Sequence, residues 1–411
     1  MAKIKAPAMV YVKGEEMTRY AMQLIMESWI EPNLDISDWQ FFDLSCVSRD
    51  DTKDKALYDL IEAEKEVRSI FKEPTITPTE EQKQKFGLSK AWGSPNGIMR
   101  RGWNGVTISR DTIHIDGVDL GYKNPVYFDR HAVGGEYGGG HAILPQGRLE
   151  TKFYPQDGSQ PIEVDSRELK DSKNAAVTYH NPLDNVEKMA HHFFSRAFEA
   201  NVTPYVVTKK TVFKWQEEFW SIMKKVFDEH YKEKFNNHNL LDRGELTHVI
   251  SDAACMKLVA WKDGGYAMAS HNYDGDMLTD LMSQVHRSPG FISSCLVGIN
   301  DDGTKIKEFE ASHGTVSDMY YRMKQGIETS LNPVGMVFAL KEAIKFSSEI
   351  SNQYSNDKAA HKEANEFADI MYSSMCQVIS SGRGTRDIFG KEGSTTEQFV
   401  ELVSQEISKS L

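Results

Sequence analysis

Asn272-Tyr273-Asp274-Gly275-Asp276-Met277-Leu278-Thr279-Asp280 is the stretch on which the reading of this 411-residue chain turns. It carries three carboxylates, and two of them, Asp276 and Asp280, stand four residues apart. A helix beginning at Gly275 would project both from one face, because residues i and i+4 are neighbours on a helix surface. A hard divalent cation such as Mg2+ takes oxygen ligands of this kind and keeps positions open for water or substrate. The plainer alternative is a helix N-terminus made acidic to suit its dipole. The rest of the chain decides between the two.

Around this stretch the pattern is α/β. Met9-Val10-Tyr11-Val12 reads as a buried strand, broken at Gly14. Met17, Tyr20, Ala21, Leu24, Ile25 and Trp29 then recur with helical spacing. A second strand, Phe41 to Leu44, and a helix over roughly Thr52 to Glu64 continue the alternation. Residues 72–105 are rich in Pro, Thr, Ser and Gly and read as loops. From Tyr137 to Asn181 the helical period disappears and short alternating strands, such as Arg148 to Tyr154, predict a β-rich insertion. One long helix is expected over Phe213 to Phe235, and amphipathic helices from Asn332 onward.

The chain exceeds the size of one hydrophobic core, so two or more lobes are expected. A formal net charge of -12 argues against a nucleic-acid partner. No apolar run reaches the length of a membrane span. Cys46, Cys255, Cys295 and Cys376 are scattered without a C-x-x-C pair, which indicates neither a zinc site nor a disulfide frame. Met1 to Ala8 lacks an apolar signal core. A soluble intracellular protein is therefore expected, in the mitochondrial matrix if a eukaryotic presequence has been cleaved and otherwise in the cytoplasm. No G-x-G-x-x-G or P-loop follows any strand, so a nucleotide must be held in another way.

Three arginines, Arg100, Arg110 and Arg130, lie in a neighbourhood that reads as loop-rich. Guanidinium forks match carboxylates bidentately and stay charged at any working pH, so three that converge would suit a di- or tricarboxylate. Ser94-Pro95-Asn96-Gly97 adds hydroxyl and amide groups just before Arg100. Arg130 follows the strand Pro125 to Phe128, at a strand exit where α/β proteins bind ligands.

Seven motifs in order now carry a resemblance. They are Thr75-Ile76-Thr77-Pro78; Ser94 to Gly97; Arg130-His131-Ala132 with Tyr137; Thr208-Lys209-Lys210-Thr211; Asn272 to Asp280; Glu310-Ala311-Ser312-His313-Gly314-Thr315-Val316; and Glu328-Thr329-Ser330-Leu331-Asn332-Pro333. Together they resemble the eukaryotic-type, homodimeric branch of the isocitrate and isopropylmalate dehydrogenase family. The resemblance implies a large α/β domain (1–103 and 287–411), a small α/β domain (104–136 and 182–286) and a β-rich clasp (137–181). It implies metal-dependent oxidative decarboxylation of isocitrate to 2-oxoglutarate and CO2, in a homodimer with shared active sites.

It also implies roles. Thr77, Ser94, Asn96, Arg100, Arg110 and Arg130 would hold isocitrate. Asp276 and Asp280 would ligate Mg2+ or Mn2+, with Asp252 supplied by the partner subunit. Tyr137 and Lys209 would be the acid/base pair, Lys209 acting across the dimer. His313, Gly314, Thr315, Val316 and Asn332 would hold the adenosine end of the cofactor, with Thr75 near the nicotinamide. NADP-dependent members follow the His-Gly-Thr-Val motif with an arginine and a histidine. Asp318 and Met319 stand there in this chain, and Gln82 replaces another frequent arginine, so NAD is expected. The chain departs from the family in a longer 100–110 segment, in Gly135-Glu136 before Tyr137, and after Asp252, where Lys257 and Lys262 both compete for a cofactor contact. NADP, a sister 2-hydroxy-acid substrate, a non-catalytic regulatory relative and a plain metal-binding protein are the alternatives.

Overall fold

The computed structural model describes residues 3–354 and 361–411. Met1 and Ala2, which open the stretch read for a leader, and residues 355–360 lie outside them. The chain divides into two compact units, Met1–Val133 with Leu183–Leu411, and Gly134–Pro182.

The first unit is built on one ten-stranded sheet. Its strands are β1 Val10–Lys13, β2 Gln40–Asp43, β3 Ser69–Lys72, β4 Gly105–Asp111 and β5 Val126–His131, followed by β6 Thr203–Thr208, β7 Thr247–Ile250, β8 Tyr266–Ser270, β9 Ser293–Ile299 and β10 Lys305–Ala311. Their order across the sheet is β7-β6-β8-β5-β4-β9-β10-β3-β1-β2. Both flanks are parallel, and the pairs β5–β4, β4–β9 and β9–β10 between them are antiparallel. Parallel neighbours need crossover connections, which is why strand and helix alternate toward each end of the sheet. β1 and β3, each paired on both sides in one flank, are buried along almost their whole length, as parallel strands covered on both faces must be.

Helix α1, Glu16–Ile25, lays Met17, Ala21, Met22 and Ile25 on the core and runs into a π-helical turn around the buried Trp29. That indole nitrogen donates to the Val400 carbonyl at 3.0 Å, so the chain's C-terminal helix is fastened to its first one. Residues 72–105 are not simply loops. They hold a helix at Glu80–Phe86, opened by a Thr79–Gln82 capping box, and α2, Pro95–Gly102, capped by Ser94 with Pro95 in its first turn. T-x-x-Q and Ser-Pro are helix-start signals that the stretch's Pro/Gly content outweighs in a sequence reading. The single helix expected over Phe213 to Phe235 is two, Gln216–His230 and Lys232–Asn237. They part at Tyr231, whose ring turns inward to 5.5 Å from Phe194. Among the described residues no helix is long and apolar enough to cross a membrane.

The second unit starts with a 3-10 turn at Gly135–Gly138. Gly140–Leu144 then pairs antiparallel with Asn174–Thr178, and Gly147–Phe153 with Ile162–Leu169. Ile143, Phe153, Ile162, Val164 and Val177 are exposed on these ladders.

Candidate active site

Register collects charged side chains on one face of the sheet. Ile108 stands opposite Arg130 and Arg110 opposite Phe128. Side chains alternate along a strand, so Ile108, Arg110, Phe128 and Arg130 share a face. β9 and β10 continue that face with Ser294 opposite Glu310 and Leu296 opposite Glu308, and β3 adds Lys72 opposite Glu310. Arg130 therefore lies within β5 rather than beyond its exit, and Arg110 within β4. The neighbourhood is sheet, not loop.

Helix α3, Ser251–Ala260, and helix α4, Asn272–Val285, pack on one another. α4 starts three residues earlier than its glycine suggests. A Cβ at Gly275 would come 2.3 Å from the Arg130 Cβ and 2.9 Å from the Ser270 Oγ, so the glycine is what lets α4 press onto β5. Asp276 and Asp280 then face the arginines. Arg130 donates through Nη1 to Asp276 and through Nη2 to the Asn272 Oδ1 at 2.7 Å. Arg110 Nη1 donates to the Thr279 Oγ1 at 2.9 Å and lies 3.2 Å from Asp276 and 3.6 Å from Asp280. The Arg130 side chain is 1% exposed and that of Asp280 is 74% exposed, so the cluster runs from the sheet out to solvent.

This donor set fits a hard cation. Two carboxylates rise from one helix face, and among the described residues no three His, Cys, Asp or Glu side chains of one chain converge as a metal cage. A cation here would complete its shell with water, a substrate oxygen or a carboxylate from elsewhere. Asp252, in the first turn of α3, does not complete such a set within one chain. Its carboxylate meets the Lys209 Nζ at 2.5 Å, and that hydrogen bond holds Asp252 below its ordinary pKa.

Sequence reasoning missed Lys72 and Glu308. Lys72 is buried, bonds Glu310, and lies 3.4 Å from Glu308. Burial and then Glu310 push Glu308 up to about 7. Burial acts on Glu310 as well, but Lys72, Arg100 and Arg110 outweigh it and hold its pKa down. Arg100, from α2, thus belongs to the same electrostatic cluster. The available signal was a charge at the end of an apolar run, Ile70-Phe71-Lys72; Glu308 lies in a strand that mixes charged and apolar residues, Lys305–Ala311, and gave no such signal.

Most cofactor candidates lie on two segments. Thr75 follows β3, with the substrate candidate Thr77 two residues on; His313 to Val316 follow β10 and lead into α5, Ser317–Lys324. Asp318 is exposed in the first turn of α5, and Met319 packs against the core. His313 Nδ1 bonds the Gly314 carbonyl at 2.9 Å. Gln82 closes its capping box, accepting from the Thr79 amide at 3.0 Å. Lys257 stacks on Trp261 at 3.7 Å. Asn332 is already committed: it donates to Asp387 at 2.9 Å and accepts from the Val334 amide at 2.9 Å. Tyr137 lies in the 3-10 turn of the second unit, half exposed.

Thr75 Oγ1, Asn96 Oδ1, Arg110 Nε and His313 Nε2 are buried polar atoms without a hydrogen-bond partner among the described residues. Such atoms are uncommon in native structures and call for a partner. Their presence on both the arginine cluster and the cofactor segments fits bound polar ligands at both places.

Comparison with known proteins agrees with this geometry. The isocitrate/isopropylmalate dehydrogenase family profile matches residues 9–403. A mitochondrial NAD-dependent isocitrate dehydrogenase of Phaeodactylum tricornutum is 55% identical over 415 residues, covering 100% of this chain and 76% of that protein. The mitochondrial NAD-dependent enzyme of Ostreococcus tauri is 55% identical over 410 residues, covering 99% of this chain and 86% of that one. A crystal structure of the Ostreococcus tauri isocitrate dehydrogenase with isocitrate and magnesium(II) superposes with a TM-score of 0.91, over 98% of this chain and 100% of that chain. By sequence and by fold, the chain belongs to the isocitrate/isopropylmalate dehydrogenase family.

Proposed function

We propose that this protein is an NAD-linked isocitrate dehydrogenase, forming 2-oxoglutarate and CO2 with a divalent metal, and that it works in the mitochondrial matrix. The observation that carries the reading is the junction of β4, β5 and α4. There two buried arginines meet the carboxylates Asp276 and Asp280 at a solvent-open edge. Arg100, Arg110 and Arg130, with Thr77, Ser94 and Asn96, bind and orient the three substrate carboxylates. Asp276 and Asp280, with Asp252 of the partner subunit, hold Mg2+ or Mn2+. When bound, the metal supplies polarisation of the C2 oxygen and of the later ketone, and NAD supplies the hydride acceptor. Lys209 takes the hydroxyl proton. Tyr137 returns a proton to C3 after CO2 leaves.

NAD is favoured over NADP at Asp318. A carboxylate in the first turn of α5 repels a 2′-phosphate; at 4 Å and an effective dielectric near 20 the repulsion is about 4 kcal/mol per charge pair as an upper bound. It can instead accept a hydrogen bond from a ribose 2′-hydroxyl.

Two features support a homodimer. Met256 and Val259 on α3, and Tyr273 and Met277 on α4, are exposed apolar side chains on adjacent helices. The second unit consists of two-stranded ladders that leave Ile143, Phe153, Ile162, Val164 and Val177 exposed, and such ladders need a further layer to be stable. A second copy of the chain would cover both. The Lys209–Asp252 pair then serves the neighbouring active site, which is why it does not join Asp276 and Asp280 in one chain.

The test is NADH absorbance with isocitrate and Mg2+, run beside NADP and beside isopropylmalate. Turnover with isocitrate and NAD, abolished by excess EDTA, is expected. A preference for NADP or for isopropylmalate would overturn the assignment. Mixing Arg130→Ala chains with Lys209→Ala chains should restore one good site per heterodimer, and no recovery after proven subunit exchange would rule out sharing.

A further inference from the structure

We infer that the consecutive carboxylates Glu15 and Glu16 are positioning residues that together set the spacing of the two cofactor segments, 75–77 and 313–319. The inference rests on the proposed roles of those segments. Glu15 reaches one of them: its Oε2 accepts from the Ile76 amide at 3.3 Å, while its Oε1 accepts from the Cys46 amide at 2.8 Å. Glu16 reaches the other: its Oε2 accepts the Thr315 hydroxyl at 2.5 Å and also the Ser317 hydroxyl. The backbone repeats the arrangement. The Glu15 amide donates to the Pro74 carbonyl at 3.2 Å, and the Met17 amide donates to the Thr315 carbonyl at 3.2 Å.

Two neighbouring side chains serve two separate segments because the chain reverses between them. Glu15 is extended, at φ -142° and ψ 167°, and Glu16 is left-handed, at φ 56°. Left-handed backbone is unfavourable for a residue with a Cβ and persists only where its surroundings hold it. Val316, between the two hydroxyl residues that Glu16 grips, is left-handed as well, at φ 57° and ψ 53°, and a β-branched residue tolerates that least. Two strained residues thus lie on either side of one set of hydrogen bonds. Gly14 completes the contact, since a Cβ there would fall 2.0 Å from the Pro74 carbonyl oxygen. Among the described residues neither carboxylate is recorded in an ion pair, so their accepting capacity goes to backbone amides, to the two hydroxyls and to the Cys46 thiol. A dinucleotide has fixed reach, and misplacing one anchor relative to the other weakens binding without touching a contact atom.

The variants separate backbone from carboxylate. Glu16→Gly accepts the left-handed backbone and removes the carboxylate; Glu16→Gln keeps one accepting oxygen. In the cofactor-free protein, hydrogen exchange should rise at amides 315–319 in Glu16→Gly and stay unchanged at Ile76. Glu15→Ala should give the reverse. NADH binding, followed by fluorescence, should weaken about tenfold in Glu16→Gly, largely recover in Glu16→Gln, and leave the KM for isocitrate within about twofold. Wild-type protein that binds NADH together with a Glu16→Gly variant of unchanged affinity would overturn this inference alone. Equal losses in Tm, kcat and both KM values would also overturn it, by showing a brace for the whole fold. Wild-type protein that does not bind NADH would overturn the proposed function and this inference with it.

Discussion

Arg110 and Arg196 are both largely withdrawn from solvent against the same two strands, on opposite faces, and they are held in opposite ways. Arg196, from the helix Val186–Glu199, meets both oxygens of Asp129 at 2.9 and 3.0 Å and bonds Asp111 as well. Asp129 is completely buried and also accepts from Ser109. Burial works against the Asp129 charge, yet Arg196 and His192 outweigh it and hold the pKa down. Here one guanidinium is shared between two carboxylates, at the wall of a cavity of about 570 Å3 that Asp111, His192 and Arg196 line. Arg110, one residue before Asp111, shares its Nη1 among Thr279, Asp276 and Asp280 and leaves a buried Nε unsatisfied. Its carboxylates run outward to the exposed Asp280. Arg196 spends its guanidinium on the two carboxylates of its own sheet face, whereas Arg110 divides one nitrogen among a hydroxyl and two carboxylates that lead out to solvent.

The comparison is broken most directly at its acidic ends. Asp276→Asn should lower kcat/KM by about a thousandfold, because a metal clamp supplies several kcal/mol of transition-state stabilisation, and Tm should change little. Activity surviving in this variant, measured at saturating Mg2+, would make Asp276 a mere helix-terminus acid. Arg196→Ala should do the converse. It strands Asp129 without its cation and should cost about 3–5 kcal/mol in urea unfolding, with the KM for isocitrate of the folded protein unchanged. A loss below about 1 kcal/mol would mean that water from the adjoining cavity replaces the guanidinium. Arg130→Ala falls between them. Loss of a charge-assisted contact worth about 1.5–3 kcal/mol should reduce kcat/KM for isocitrate at least tenfold.

The same contrast governs what could be read from the sequence. Asp276 and Asp280 are legible because their spacing is local: four residues make one helix face. Gly275 reads as a helix start, and only the packed structure shows that it clears the Arg130 side chain. Arg110 and Arg130 are legible as chemistry but not as geometry, since nothing local says that β4 and β5 are antiparallel neighbours with the two arginines on one face. Lys72 meets Glu310 across 238 residues, and Glu16 meets Thr315 across 299. Such contacts exist only once the strand order is known, and that order depends on pairings at long range. Arg196 carries no motif at all. The helices at Glu80–Phe86 and Pro95–Gly102 are a different kind of miss, because their caps were present and composition obscured them.

The smallest effect is a pH dependence set by a buried histidine at the end of α4. His286 is buried in its neutral form: Nε2 bonds the Ile113 carbonyl at 2.9 Å and Nδ1 accepts from the Tyr122 amide at 3.3 Å. Burial, aided by His114, pushes its pKa down to about 4. The folded value lies below the unfolded value near 6.5, so below that pH the unfolded chain takes up a proton that the folded chain refuses. Stability from this group is therefore fully present above about pH 6.5 and is lost as the pH falls toward about 4. Between pH 6.5 and 5 the loss is about 2 kcal/mol. Asp129 behaves differently. Its pKa is depressed from an already acidic value, so its contribution is constant over that window and disappears only in stronger acid. Urea unfolding at pH 7 and at pH 5 should thus show a smaller pH penalty in His286→Gln than in wild type, by about 2 kcal/mol. Arg196→Ala, though less stable at both pH values, should also show a smaller penalty, because the guanidinium holds down the pKa values of both His192 and Asp129. An Arg196→Ala profile as steep as that of wild type would mean that the guanidinium does not govern protonation of His192 and Asp129, and that the ion pair acts on packing alone.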